Sequence, residues 1–189
     1  MSAPRRHRHK RDEVADVAAG LIERAGLAAL TVREVAAAAG CSTTVVTHYF
    51  ADKSELLLHT YRLVANRAQR RIDRVLEADP LDLQGWCEAL LPVDDLRRRD
   101  CKVWFAFWHA ASDDATYAAE QRYWVQHSRR VLRGILAKRG YPRAAATARH
   151  LLALLMGVAV QAVFDADDWP RARQIAFFRD EIRRLDALR

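Results

Sequence analysis

At 189 residues the chain has the length of one domain or two small ones, and 51% hydrophobic content is ample for a core. Net charge is +7, from 31 Lys plus Arg against 24 Asp plus Glu, which agrees with a polyanionic partner. Cys41, Cys87 and Cys101 lie far apart with no CxxC pair, which argues against a disulfide framework or a structural metal and fits a reducing, cytoplasmic setting.

The first eleven residues carry Arg5, Arg6, Arg8, Lys10 and Arg11 and no acid. Such a tail either follows a phosphate backbone or is a solvated terminus. It has no apolar stretch of a secretion signal, because Asp16, Glu23 and Arg24 interrupt the first helix. In that helix Val14, Val17, Leu21 and Ala25 line one face, and Gly26 marks its exit. Thr31 followed by Glu34 has the form of a capping box, so a second helix begins near Val32 with Val32, Val35, Ala36 and Ala39 on one face and Gly40 as its left-handed stop. Ser42 can cap a third, short helix on which Val46 and Phe50 face inward while Thr43, Thr44, Thr47 and His48 lie on other faces. Small polar groups on a short helix set by a tight turn suit a major groove; the plainer alternative is a helical hairpin with solvated threonines. Asp52 and Glu55 form a second capping signature, placing Lys53 in a first turn where a cation and free amides together hold a phosphate.

From Lys53 to Ala78, the residues Leu57, Tyr61, Val64, Ala68, Ile72 and Val75 recur at spacings of four and three, so one rod can link head to body. Pro80 ends it. A short helix around Leu83 to Leu91 follows, then Pro92 and the Asp94 and Asp95 caps introduce an aromatic-rich helix over Lys102 to Ala111. Further helices span Ala115 to Arg139, Arg143 to Phe164, and the segment after Pro170. Nothing alternates as a strand, so an all-α fold of about nine helices is expected. Residues 1–52 are expected to form a helix-turn-helix head and 53–189 a helical body, for which the resemblance described below implies effector binding and dimerisation.

The apolar run Leu151 to Phe164 is too short to span a bilayer, contains Gln161, and reads as a buried helix. The last two helices present Leu155, Val158 and Ala162, then Ile175, Phe178 and Ile182, as a seam that packs within its own subunit or against a second copy. The dimer is preferred, since a twofold operator needs two heads. Gly157 would let a partner backbone approach, at about 1 kcal/mol of helix propensity.

All five tryptophans fall in the body. Trp86, Trp104, Phe107, Trp108, Tyr123 and Trp124 are candidates to line an effector space, the alternative being that they are large core residues. Asp113 and Asp114 serve better as caps for the following helix than as counter-charges, and His109 and His127 are expected to be satisfied core groups. No GxSxG, HExxH, GxGxxG or phosphate-loop pattern supports an enzyme. The competing classes are a helical enzyme without local motifs and an interaction protein without an operator.

The runs LTVREVAAAAG, CSTTVVTHYF and DKSELL, in that order and spacing, resemble the N-terminal domain of the tetracycline-repressor (TetR) family over roughly the first 60 residues. The resemblance implies that Thr43, Thr44, Val45, Thr47 and His48 lie along the groove, that Arg33 reaches in from the preceding helix, and that Tyr49 and Lys53 grip phosphates. Cys41 stands where the family usually has an aliphatic residue, and Thr47 where it often has Tyr, which removes one common DNA contact. THYF and KVWFAFWHAA are similar to the choline-responsive, BetI-type subgroup. The family implies a homodimeric repressor, without cofactor, released from a palindromic DNA operator by a small molecule bound in the body. Rings at this place would suit a quaternary ammonium or an aromatic or apolar effector.

Overall fold

The structure, a computed structural model, describes residues 3–188; the side chains of residues 3–6 and 8 lie outside the description, and with them the arginines expected at 5, 6 and 8. Nine helices make up the described chain, with no strand among the described residues: α1 Ala3–Ala29, α2 Val32–Ala38, α3 Thr43–Tyr49, α4 Lys53–Ala78, α5 Leu83–Leu90, α6 Asp95–Ala110, α7 Ala115–Lys138, α8 Ala144–Phe164 and α9 Arg171–Ala187. From Ala3 onward the basic tail is the start of α1. Glu13 meets His9 at 2.8 Å and Lys10 at 2.9 Å, one helical turn back, so ion pairs favour helix there. Gly26 breaks α1 at φ 77°, as a left-handed glycine should.

Two compact units divide the chain: residues 1–66 with 102–118, and residues 67–101 with 119–189. In the first, α1 packs on α2 and α2 on α3. The inward face of α1 is Val14, Ala15, Ala18, Ala19 and Ile22, whereas Val17 and Leu21 are half-buried and Ala25 is exposed. The expected stripe is therefore rotated. Alanine buries as readily as valine where helices approach closely, and its small size hid this face from a count of large apolar residues. The stripe on α4 runs as expected, with Leu57, Tyr61, Val64 and Ile72 buried and Ala68 and Val75 half-buried.

In the second unit Leu83, Trp86, Cys87, Leu132, Leu136, Leu151, Leu155 and Phe178 are at the centre of one hydrophobic cluster. Gly140 at φ 83° ends α7 in a Schellman turn, its amide 3.0 Å from Ala137 O and that of Tyr141 3.0 Å from Leu136 O. Arg139 and Tyr141 then meet Asp186 at 3.0 and 2.6 Å, tying the end of α9 to that turn. The aromatic-rich helix begins at Asp95, seven residues before the expected Lys102, because Asp94 caps it directly, its Oδ1 accepting from Arg97 N at 2.8 Å. Within that added turn Asp100 is buried beside Arg67 (3.3 Å) and Arg71 (3.7 Å). Burial pushes its carboxyl above the usual range despite those cations, and pushes the Arg71 guanidinium below its own.

The expected dimer seam is corrected here. Leu155, Val158, Ala162, Phe178 and Ile182 are buried inside the single chain, with only Ile175 half-buried, so they belong to the subunit core. α8 is apolar on most faces, and helical spacing alone does not say which face turns inward. The inward stripe is Ala148, Leu151, Leu152, Leu155, Val158, Ala159 and Ala162. On the other side lie Ala153, Met156, Gly157, Val160, Gln161 and Phe164, of which Phe164 is 80% exposed. With 21 residues α8 is also long and apolar enough to cross a bilayer by length and composition, which the run from Leu151 alone did not show. Replacing Phe178, wholly enclosed, by Ala should cost about 3–5 kcal/mol in denaturant unfolding.

Candidate functional site

The head is built from local bonds that each residue type demands. Thr31 and Glu34 form a reciprocal capping box, Glu34 N donating to Thr31 Oγ1 at 3.2 Å and Thr31 N to Glu34 Oε2 at 2.8 Å. Gly40, at φ 61°, closes α2 in a second Schellman turn: its amide donates to Ala37 O at 3.2 Å and that of Cys41 to Ala36 O at 3.0 Å. Ser42 occupies the N-cap position of α3 in an extended conformation, but its side chain makes no cap bond, contrary to expectation. Val46 and Phe50 are buried, at 1% and 2% exposure, and hold α3 against the head.

That anchoring leaves Thr43, Thr44, Thr47 and His48 exposed in a row, with Val45 and Tyr49 half-buried at its edges. The Thr47 hydroxyl lies 3.2 Å from both Thr43 O and Thr44 O, so its proton is committed to the helix, and only its lone pairs and methyl group face outward. Arg33 is exposed on α2. Lys53 sits at the start of α4, its Nζ 3.5 Å from Ala28 O. Asp52 and Glu55 cap α4, Asp52 Oδ1 accepting from Glu55 N at 2.8 Å, while Glu55 reaches the amide of Ala51 at 2.7 Å, one residue further back than a capping box would have it.

Sequence reasoning missed the part played by the tail. His7 packs its ring 4.8 Å from that of Tyr49 and 5.8 Å from that of His48. Arg11 pairs with Glu55 and stacks 4.9 Å over the Phe50 ring. Both contacts follow from α1 extending back to Ala3, for which the i,i+4 pair His9 and Glu13 was the available signal.

The candidate effector rings fall into three sets. On α6, Trp104 and Trp108 lie 4.9 Å apart, Trp104 Nε1 donates to Tyr61 OH at 2.8 Å, and buried Phe107 stands between Tyr61 (4.9 Å) and Tyr117 (5.2 Å). These belong to the first unit. Trp108 Nε1 is shielded from solvent, with no hydrogen-bond partner among the described residues. In the second unit, Tyr123 is 57% exposed and packs edge-on against Trp124, whose Nε1 donates to Glu120 at 3.0 Å. Trp86, also in the second unit, is wholly buried in the hydrophobic cluster, which corrects its assignment as a ring open to a ligand. Asp114 caps α7 as expected, accepting from Thr116 N at 2.7 Å. The histidines differ from expectation: His109 is exposed, and His127 Nε2 is shielded with no hydrogen-bond partner among the described residues.

Residues 14–60 match the pattern of "Bacterial regulatory proteins, tetR family", and residues 82–187 match "BetI-type transcriptional repressor, C-terminal". The chain belongs to the TetR family. The HTH-type transcriptional regulator BetI of Paraburkholderia phytofirmans is 32% identical over 157 residues, 79% of each chain. Among solved structures, a transcriptional regulator from Rhodococcus has TM-score 0.80 at 28% identity, covering 88% of this chain and 90% of its own. A regulator from Saccharomonospora viridis, determined in complex with choline, has TM-score 0.75 at 22% identity over 93% of this chain and 96% of its own. This TetR-family chain is thus a DNA-binding transcriptional regulator whose second profile is that of a repressor body.

Proposed function

We propose that residues 1–52 read a palindromic operator as part of a homodimeric repressor, and that a small molecule bound among residues 53–189 releases it. The observation that carries this is the exposed Thr43, Thr44, Thr47 and His48 row on a helix pinned by Val46 and Phe50. A row of short side chains admits the helix deep into a major groove. Thr47, with its proton committed, offers bases an acceptor and a methyl group, which suit a base amino group or a thymine methyl. Arg33 and Val45 flank the row, and Tyr49 and Lys53 contact phosphates from its ends. Ligand and DNA compete only insofar as each prefers a different arrangement of the two subunits.

The effector, in this reading, lies against Trp104, Phe107 and Trp108 in the first unit, where Trp108 Nε1 is shielded and has no hydrogen-bond partner among the described residues. A ring cluster of this kind attracts a quaternary ammonium through cation–π contacts worth about 2 kcal/mol or more when desolvated. Choline in the Saccharomonospora regulator supports the same ligand class. Dimerisation takes the outward stripe of α8, Ala153, Met156, Gly157, Val160, Gln161 and Phe164, and leaves the core residues of α8 and α9 where they are.

Lys53→Ala is expected to weaken retention of all duplexes in gel shift and to lower the salt slope by about one, whereas Thr47→Ala should change preference at particular base pairs. Identical behaviour of the two across operators would refute these roles. Trp108→Ala should blunt release by choline without altering DNA retention in its absence; an unchanged choline titration would remove Trp108 from the effector site. At Gly157 nothing lies within 4 Å of an added Cβ, so Gly157→Leu should leave subunit stability intact or raised while sedimentation shows a weakened dimer. A dimer as strong as the parent would place the interface elsewhere.

A further inference from the structure

Several arginines in the second unit are matched by acids: Arg67 and Arg71 face Asp100, Arg97 meets Asp94 at 3.0 Å, Arg98 meets Asp95 at 3.2 Å, and Arg184 meets Glu181 at 2.7 Å. Four arginines without such a match lie together. A concavity of about 220 Å³ between α7 and α8 is lined by Gln126, Arg129, Arg130, Arg133, Ala145, Ala148 and Arg149. No acid lines it, and none of its four guanidinium groups has a hydrogen bond or ion pair among the described residues. The convergence is set by helix geometry. Positions 126, 129, 130 and 133 share one face of α7, and 145, 148 and 149 share the facing side of α8, with buried Ala148 as a floor too small to fill the space.

Four like charges turned toward one hollow repel one another, and the arrangement is relieved by an anion that several of them share. Guanidinium groups recognise phosphate and carboxylate bidentately, which gives such a hollow both strength and geometric selectivity. Its size sets the class of occupant. Pockets for drug-sized ligands run from about 300 to 1,000 Å³, so this one suits a compact anion.

We propose that this pocket binds a small molecule carrying two or more closely spaced oxyanion groups, either a diphosphate or a polycarboxylate, as a second ligand site independent of the aromatic one. Calorimetric titration of the full chain with sodium pyrophosphate and with sodium citrate, at ionic strength matched with sodium chloride, tests it. Saturable binding of one probe per chain is expected for at least one of the two, and the tighter probe identifies the oxyanion type. Arg133→Gln and Arg149→Gln, both at exposed positions, should each weaken that binding by roughly tenfold or more with an unchanged unfolding midpoint. Arg183→Gln, which alters an exposed arginine paired with Asp180, should leave it unchanged. Absence of saturable binding of both probes, or parent-like binding by both pocket variants, would overturn the proposal. So would pocket variants that lose operator retention without any probe, since the arginines would then contact duplex. A weakened dimer together with parent-like probe binding would equally overturn it, by giving the arginines to a partner subunit's acids.

Discussion

A seven-residue helix has no stability of its own, because nucleation costs more than one or two turns return. The exposed threonine and histidine row on α3 therefore exists only while Val46 and Phe50 remain in the core of the head and Gly40 holds the turn that aims them there. Everything else in the head serves that constraint. The capping box at Thr31 fixes where α2 begins, the Schellman turn at Gly40 fixes where it ends, and Arg11 clamps Phe50 and Glu55 from α1. Because α3 is pinned from below by two large apolar groups, its outer residues are free to be short and polar, which a groove requires.

The body answers a different constraint, that of charge in an apolar helical bundle. Asp100 is buried, which disfavours its ionised form, and Arg67, Arg71 and Arg99 oppose that effect, so the end of α4 and the start of α6 are coupled through one carboxylate. Burial also removes two of the three thiols from chemistry: it pushes Cys101 up to about 12 and Cys87 higher still. Aromatic rings are divided between groups with a solvent-shielded indole nitrogen, such as Trp86 and Trp108, and surface sets such as Tyr123 with Trp124.

Legibility in the sequence followed the range of the interaction. Thr31 with Glu34, Gly40, Gly26 and the Asp114 cap act within a few residues, and each was found where the sequence placed it. The tail was less legible, since the rings that His7 meets are more than forty residues away and no periodicity announces them. The start of α6 lies earlier than expected, since Arg97, Arg98 and Asp100 are helix residues with acid or base partners.

Local rules in the chain by itself determined the nine helices, their caps, and the short threonine-bearing helix, because helix formation and capping depend on neighbours three or four residues apart. Only tertiary structure decided which faces are interior. α8 is apolar nearly all round, so its sequence is equally consistent with Leu155 or Met156 turned inward; packing against α5, α7 and α9 chose Leu155, Val158 and Ala162 for the core and left Met156, Gly157 and Val160 outside. The same packing enclosed Trp86 and brought Arg149 opposite Arg133, for burial and facing are set by the partner helix and are written in no single helix's spacing.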